Sequence, residues 1–366
     1  MIIKFYNSKV VQREMVGMVL EATNSMPDYH YLQSLFAVGR LVNCNGPINR
    51  LQPGIFKFDH SCPIPNDLSN APTFQQAATY TARDILNQAG DRPIGVFWSG
   101  GIDSTVALVA LMQECEHWQE RLIIYTSNYA IQHEYPVFYH NFLQQANVVL
   151  LEPKDFFDAN LFRQNIFMVD GNLGDQVWGI NLTIDQPDFC HRPYPALFDW
   201  QHFRNRVGEK QWLDATVSYI EQQIKHFPAP VKSLFDLLWM LTFTHKWNFN
   251  RLKHMSRVPD ITLLHQMHCF YDSYHLQRWS MATTDSRIKD SPESYKQAAK
   301  DFIYLYTKDQ IYRDTKLQQN SMPKFMPMEY LDSYFVLITD QAYRTREQLG
   351  CDIMSESIDW SIVPEK

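Results

Sequence analysis

The chain lacks the features that mark several large classes of protein. Its six cysteines form no Cys-x-x-Cys pair, so neither a zinc ribbon nor a disulfide framework is expected. It has no run of about 18 apolar residues, and its first residues lack the pattern of a signal peptide, so we expect a cytoplasmic protein without a membrane span. A formal net charge of -7, without a long run of like charges, disfavours a nucleic-acid partner.

What the sequence does contain is a change of pattern near residues 61–73, where turn-forming residues indicate a linker. Residues 1–72 predict a small β-containing N-terminal region, with an edge strand around residues 55–58. Residues 73–366 alternate short apolar runs with helical patterns, which predicts an α/β fold: a parallel sheet with helices on both faces, then a helical C-terminal half. The predicted strands are Ile94–Trp98, Leu122–Tyr125, Asn147–Leu151 and Ile166–Val169, and the predicted helices are Thr73–Ala89, Thr105–Glu114, Glu134–Ala146 and Phe235–Trp247.

The strongest chemical signal is the string Ser-Gly-Gly-Ile-Asp-Ser at residues 99–104, which follows a predicted buried strand and opens a helix. Small residues let backbone N–H groups approach a ligand, and the N-terminus of a helix attracts anions. A carboxylate at Asp103 suits Mg²⁺ held beside phosphate. The alternative is a tight glycine turn in which Asp103 and Ser104 only cap the helix. The residues expected to contact the nucleotide here are Ser99, Gly100, Gly101, Asp103, Ser104 and Thr105.

This string is not a Walker A loop, because Gly-x4-Gly-Lys-Ser/Thr is absent. It resembles the PP-loop of the N-type ATP pyrophosphatases, which include asparagine synthetase, β-lactam synthetase, GMP synthetase, NAD synthetase and several tRNA-modifying enzymes. The resemblance implies an adenine nucleotide alpha-hydrolase-like fold. It also implies cleavage of ATP to AMP and pyrophosphate, with Mg²⁺.

A second string, Gly-Asn-Leu-Gly-Asp-Gln-Val-Trp-Gly at residues 171–179, follows the predicted strand Ile166–Val169. It resembles the Ser-Gly-Glu-Gly-x-Asp-Glu-x-Phe-Gly-Gly segment of asparagine synthetases. The resemblance implies that Gly171 approaches the adenylate and that Asp175 helps to hold magnesium. The family glutamate, which takes part in handling the attacking amine, falls on Asn172, and this departure disfavours direct asparagine formation. An ordinary glycine-rich loop with Asp175 as a cap is the alternative.

A third string, Tyr-Arg-Asp-Thr-Lys at residues 312–316, resembles the Arg-x-Lys region of the same family. The resemblance implies that Lys316 meets the pyrophosphate, where a cation stabilises the leaving group. Lys308 and Arg313 are the other candidates, and a solvated basic face is the competing interpretation.

The resemblance also implies that Thr126 contacts the adenine through its backbone, at the end of the second predicted strand. Open α/β sheets bind ligands at the carboxyl ends of their strands. Ser99, Thr126 and Gly171 all fall at such ends, which supports one shared site.

The sequence departs from full asparagine synthetases at its N-terminus. Those enzymes make ammonia in a glutaminase domain whose nucleophile is a cysteine at position 2, and here position 2 is Ile2. We therefore expect no glutaminase activity, and residues 1–72 are either a shortened remnant or an unrelated cap. The nitrogen donor is then free ammonia, an amine on the substrate, or the product of a separate partner protein.

The sequence thus predicts a ligase that adenylates a small carboxylate with ATP and transfers it to ammonia or an amine. Two other functions stay open. One is a tRNA- or nucleotide-modifying enzyme, which the acidic charge and the lack of Cys-x-x-Cys disfavour. The other is a degenerate homologue that binds nucleotide without catalysis, for which Asn172 is the best support.

Overall fold

The chain forms two compact units, each assembled from separate segments. Unit 1 comprises Met1–Ile64, Asp188–Ile261 and Asp332–Lys366, and unit 2 comprises Pro65–Pro187 and Thr262–Leu331. The expected division into residues 1–72 and 73–366 stays a prediction. The computed structural model describes residues 2–6, 62, 64–152, 155, 165–179, 191–196, 217, 220–221, 223–245, 267–287, 294–316 and 334–338.

Unit 2 is built on a five-stranded, entirely parallel sheet. This arrangement confirms the predicted α/β class. The first four strands to appear along the chain match the predicted apolar runs to within a residue at either end. The fifth was not predicted as a strand. The strands are β2 Ile94–Phe97, β3 Leu122–Thr126, β4 Asn147–Leu150, β5 Phe167–Asp170 and β6 Met267–Cys269. Their order across the sheet is β4-β3-β2-β5-β6.

The order of the strands reverses beside β2. From β2 the chain moves to β3 and β4 on one side, and then returns to β5 on the other side. The carboxyl ends of β2 and β5 therefore flank a topological switch point, the position at which open α/β sheets form a ligand crevice. The strings at residues 99–104 and 171–179 follow these two strands.

The helices of unit 2 agree with the predicted pattern at their strongest positions. Thr73 begins the first helix with a capping box shared with Gln76. The helix that follows β2 is buried continuously from Ile102 to Met112 except at Asp103, as its nearly all-round apolar sequence predicts. The helices are α1 Phe74–Ala89, α2 Ile102–Glu114, α3 Trp118–Arg121, α4 Pro136–Phe138, α5 Gly174–Trp178, α7 Tyr274–Ala282, α8 Thr284–Arg287, α9 Gln297–Thr307 and α10 Gln310–Thr315, with α6 in unit 1.

The single helix predicted over Glu134–Ala146 is confirmed only over residues 136–143, and its predicted start at Glu134 is wrong. The chain instead forms a π-helical turn at Ala130–Glu134, the short α4, and a second π-helical turn at Tyr139–Leu143. Pro136 explains the interruption, because proline has no backbone N–H to continue a helical ladder. The break has a consequence for the site, since it places Glu134 at the end of a turn and away from solvent.

Unit 1 contains a small antiparallel pair and one long apolar helix. β1 (Ile2–Tyr6) pairs with β7 (Tyr334–Ile338), with Lys4 opposite Val336. The helix α6 (Leu234–His245) starts with Asp236 accepting from the N–H and hydroxyl of Ser233. The predicted edge strand at residues 55–58 lies outside the described residues. Within the described ranges, every helix is too short or too polar to span a lipid bilayer.

Candidate functional site

The loop at residues 99–104, called here the first loop, is folded tightly on itself. The Ser99 N–H donates to the Ser104 hydroxyl over 3.1 Å, and that hydroxyl donates to the Gly101 carbonyl over 3.2 Å. Gly100 has φ +74°, and a Cβ there would lie 2.5 Å from the Cβ of Glu134. Glycine is therefore required at this position both by the backbone and by the neighbouring side chain.

The N-terminus of α2 is left without a side-chain cap among the described residues. Gly101 is the N-cap, and the first helical hydrogen bond runs from the Thr105 N–H to its carbonyl over 3.0 Å. Neither Asp103 nor Ser104 caps the helix. The other first-turn N–H groups can therefore serve a bound anion, as the sequence predicts.

The loop at residues 171–175, called here the second loop, presses against the first. A Cβ on Gly171 would lie 2.6 Å from both the backbone nitrogen and the Cα of Ser104, and one on Gly174 would overlap the carboxylate of Asp103. Only glycine lets these backbones approach so closely. The two strings singled out in the sequence thus form one continuous surface at the switch point.

The second loop is anchored from behind. Trp178 at the end of α5 is 1% exposed and packs against Phe74 and Trp279, with ring centroids 5.0 and 4.5 Å away. The Ser280 hydroxyl donates to the carbonyl of Val177 over 2.5 Å. This packing fixes the helix that carries Asp175, so the position of its carboxylate is set by the core.

Both predicted metal ligands bind the same lysine. The Lys296 ammonium lies 2.5 Å from Asp103 Oδ2 and 2.8 Å from Asp175 Oδ1, and the Tyr295 hydroxyl donates to Asp175 Oδ1 over 3.1 Å. The side chain of Lys296 is 4% exposed, that of Asp103 is 23% exposed and that of Asp175 is 55% exposed. Asp175 therefore forms the solvent-exposed side of the cluster, and Lys296 forms its buried side.

The cluster is strongly coupled electrostatically. Burial, with the charge of Asp175, raises the pKa of Asp103 to about 6, although Lys296 acts in the opposite direction. Partial desolvation also works against ionisation of Asp175, although its side chain is largely exposed, but the Lys296 ammonium holds the pKa of that carboxyl below its ordinary value. The two carboxylates raise the pKa of Lys296 despite its burial, so the lysine stays charged.

The donor set suits a hard divalent cation. Oδ1 of Asp103 is buried and accepts no hydrogen bond of normal geometry from the described residues, and carboxylate oxygens are the ligands that Mg²⁺ prefers. Within the described part of the chain, no group of three His, Cys, Asp or Glu side chains is placed to hold a metal. Asp103 and Asp175 would therefore need further oxygen ligands from phosphate or water.

Lys316, predicted to meet the pyrophosphate, lies behind the first loop. Its ammonium is 2.7 Å from Glu134 Oε2 and donates to the Glu134 carbonyl over 3.0 Å, and the two side chains are 8% and 1% exposed. Tyr312 stacks on Tyr135 at 3.7 Å and contacts the Gly100 carbonyl through its hydroxyl at 3.5 Å. The Lys316 ammonium is thus already paired with Glu134. A direct contact of Lys316 with pyrophosphate stays a prediction.

The two other candidate cations are also engaged. The Arg313 guanidinium binds Asp301 over 2.6 Å, and the Lys308 ammonium lies 5.8 Å from the ring centre of Tyr304. Lys296 is thus the cation that the structure places at both loops.

Thr126 ends β3, at the same edge of the sheet as both loops. Its carbonyl accepts from the Leu151 N–H over 2.7 Å. Its side-chain hydroxyl is buried and has no hydrogen-bond partner among the described residues. An adenine contact at Thr126 stays a prediction.

Lys296, Tyr295 and Glu134 were missed in the sequence. Lys296 and Tyr295 stand in the stretch Ser-Tyr-Lys before α9, which carries no motif. Glu134 was hidden at the wrongly predicted start of a helix. Only the fold brings these residues to the two loops, since Lys296 is 193 positions from Asp103.

Comparison with known proteins adds nothing to this geometry. No family model matches the chain, and a search of the curated proteins finds no match. The function of the site must therefore be argued from its own residues.

Proposed function

We propose that the chain is an ATP-dependent, AMP-forming carbon–nitrogen ligase of the asparagine synthetase-like kind, with an adenine nucleotide alpha-hydrolase-like fold in unit 2. One observation carries the proposal: the PP-loop-like string at residues 99–104 and the string at residues 171–179, distant in sequence, touch at the switch point of the sheet, and their aspartates converge on one ammonium. A glycine turn with a purely structural role does not call for an uncapped helix N-terminus and two carboxylates at the same place.

The residues divide the work in the following way. The N–H groups of the first turn of α2 and the hydroxyl of Ser99 hold the β- and γ-phosphates of ATP, and the Ser104 hydroxyl joins them when its hydrogen turns from the Gly101 carbonyl to a phosphate oxygen. Lys296 adds positive charge beside them. Magnesium, when bound by Asp103 and Asp175, would neutralise the charge that develops on the leaving pyrophosphate.

The reaction then has two steps. A substrate carboxylate attacks the α-phosphorus of ATP, and the bond to pyrophosphate breaks. Ammonia or an amine next attacks the acyl carbon of the acyl-adenylate, which forms the amide and releases AMP. The protein contributes chiefly by positioning the reactants and stabilising charge. We expect small-molecule substrates in the cytoplasm, with the amine free or supplied by a separate protein.

A second candidate function is nucleotide binding without catalysis. Asn172, at the position of the family glutamate, donates its side-chain amide to the Asp170 carboxylate, and its N–H donates to Asp170 Oδ1 over 3.1 Å. The side chain at this position therefore stabilises the turn after β5. It cannot act as the general base for an amine, since an amide does not take up a proton at neutral pH.

The decisive experiment is to incubate the chain with ATP, Mg²⁺ and a panel of carboxylates and amines, and to measure AMP and pyrophosphate. We expect the two in equal amounts with at least one pair of substrates. Asp175→Asn should reduce turnover by about a hundredfold or more, whereas Asp91→Asn, an exposed aspartate beside β2, should not change it. ADP and phosphate as the only products would refute the ligase. ATP binding without any AMP would favour the second candidate.

A further inference from the structure

We propose that Lys296 is the resident counter-ion of the Asp103–Asp175 pair and keeps divalent cations out of it until the phosphates of a nucleotide arrive. The part assigned to the nucleotide rests on the proposed function. The competition between the lysine and a divalent cation does not, because it follows from the cluster alone.

Lys296 occupies the position that a metal ion bridging the two aspartates would need. The ammonium nitrogen lies within 2.8 Å of one oxygen from each aspartate. A metal ion bound to the same two oxygens would have to occupy the place of this nitrogen. The ammonium and a divalent cation therefore cannot both bind these two oxygens, and a metal ion that bridges Asp103 Oδ2 and Asp175 Oδ1 requires the lysine to move.

The charge of Lys296 also weakens the attraction of the cluster for a free divalent cation. Two carboxylates and one ammonium leave a single excess negative charge, so the cluster attracts a free divalent cation much less strongly than a bare pair of aspartates would. Lys296 is nearly fully buried, and moving its ammonium away from both partners without another anion would leave it uncompensated. A free metal ion brings no such anion.

A nucleotide shifts the competition between Lys296 and Mg²⁺ in favour of the metal ion. Mg²⁺ is usually held by one or two carboxylates together with substrate phosphates and water, and the described residues supply only the two carboxylates. The phosphates of ATP would provide the missing ligands for the metal. They would also provide an anionic partner for Lys296 beside the N-terminus of α2.

The test measures Mn²⁺ binding to the full chain without nucleotide, by the electron paramagnetic resonance signal of free Mn²⁺. The variants are Lys296→Met, which removes the charge, and Lys308→Met as the matched control. Lys308 shares a left-handed backbone, with φ +58° against +52° for Lys296, and stands at the other end of α9. Its ammonium lies over Tyr304 instead of at a carboxylate.

We expect Lys296→Met to bind one Mn²⁺ at least about tenfold more tightly than the wild type and the control. Adding Asp175→Asn should abolish this gain. Thermal unfolding gives a second readout: Mn²⁺ should raise the melting temperature of Lys296→Met and leave that of the wild type unchanged. A Lys296→Met chain that folds only with Mn²⁺ supports the inference equally.

Equal Mn²⁺ affinity in the wild type and in Lys296→Met would overturn the inference. Lys296→Gln, which is uncharged but can still donate to a carboxylate, replaces the methionine variant if that chain does not fold. If neither chain folds with or without Mn²⁺, Lys296 is a structural ion pair that metal cannot replace, and the inference fails. None of these readouts requires turnover, so a failed ligase assay leaves this test intact.

Discussion

At the scale of single residues, the candidate site depends on glycines, because a Cβ would not fit at their positions. Gly171 lies so close to the first loop that a Cβ would be 2.6 Å from the Ser104 backbone. We expect Gly171→Ala to push the two loops apart, at a cost of about 1–3 kcal/mol in stability. It should also weaken binding of a non-hydrolysable ATP analogue by about tenfold or more, because loop position sets the phosphate contacts. Isothermal titration calorimetry measures this affinity.

Gly90 offers a control that separates strain from site geometry. Unlike Gly171, it has a left-handed backbone, with φ +59°, and nothing lies within 4 Å of a Cβ built there. Gly90→Ala should therefore cost about 1 kcal/mol of stability through backbone strain alone and leave nucleotide affinity unchanged. If Gly171→Ala binds the analogue as tightly as Gly90→Ala does, contact between the loops has no part in nucleotide binding.

At the scale of secondary-structure elements, the sequence predicted the parallel sheet and both loops well. Apolar runs such as Ile94–Phe97 are buried strands, and a glycine string follows each of β2 and β5, at the edge of the sheet where the candidate site lies. These features are local, so sequence patterns record them. β6 was missed because Met267–Cys269 is too short to show a pattern.

The cations of the site could not be assigned by the same reasoning. Lys316 stands in one of the strings singled out in the sequence and Lys296 stands in none, yet Lys296 is the lysine that binds the two aspartates, because tertiary contacts decide this. The interruption at Pro136 was visible in the sequence, but its effect on Glu134 was not. A residue that turns inward at a helix break gains its partner from an element far along the chain.

The pairing of Glu134 with Lys316 ties the turn before α4 to the end of α10. Both charges are buried, so Glu134→Gln should leave the Lys316 ammonium undercompensated and cost about 3 kcal/mol. Glu134→Gln combined with Lys316→Met should recover much of this loss, since no buried charge is left unpaired. The shift in the urea midpoint of unfolding measures both effects.

A solvent-facing pair between α1 and α2 provides the comparison. Arg83 binds Glu114 over 2.7 Å, and the arginine side chain is 58% exposed. Glu114→Gln should shift the urea midpoint much less than Glu134→Gln does, because water screens an exposed ion pair. Equal losses for Glu134→Gln and Glu114→Gln would show that burial does not strengthen the dependence of the fold on Glu134.

At the scale of the whole molecule, each unit is assembled from segments that are far apart in the chain. All the residues assigned to the nucleotide site belong to unit 2, including Lys296 and Lys316 from its second segment. The strands β1 and β7 belong to unit 1 and pair Ile2–Tyr6 with Tyr334–Ile338. Unit 1 therefore combines the first segment of the chain with a segment more than 300 residues further along.

This pairing predicts the result of removing β1. A chain without residues 1–6 loses the strand that pairs with β7 within the described residues, so the N–H and C=O groups of Tyr334–Ile338 that face β1 lose their partners. We expect proteases to cleave near β7 about tenfold faster, because local stability there falls with the lost hydrogen bonds. Affinity for an ATP analogue should stay within about twofold, since the site residues lie in unit 2. Lys4→Thr, which keeps a strand-forming residue opposite Val336, serves as the control. Unchanged cleavage near β7 after removal of β1 would show that the pairing does not protect this strand.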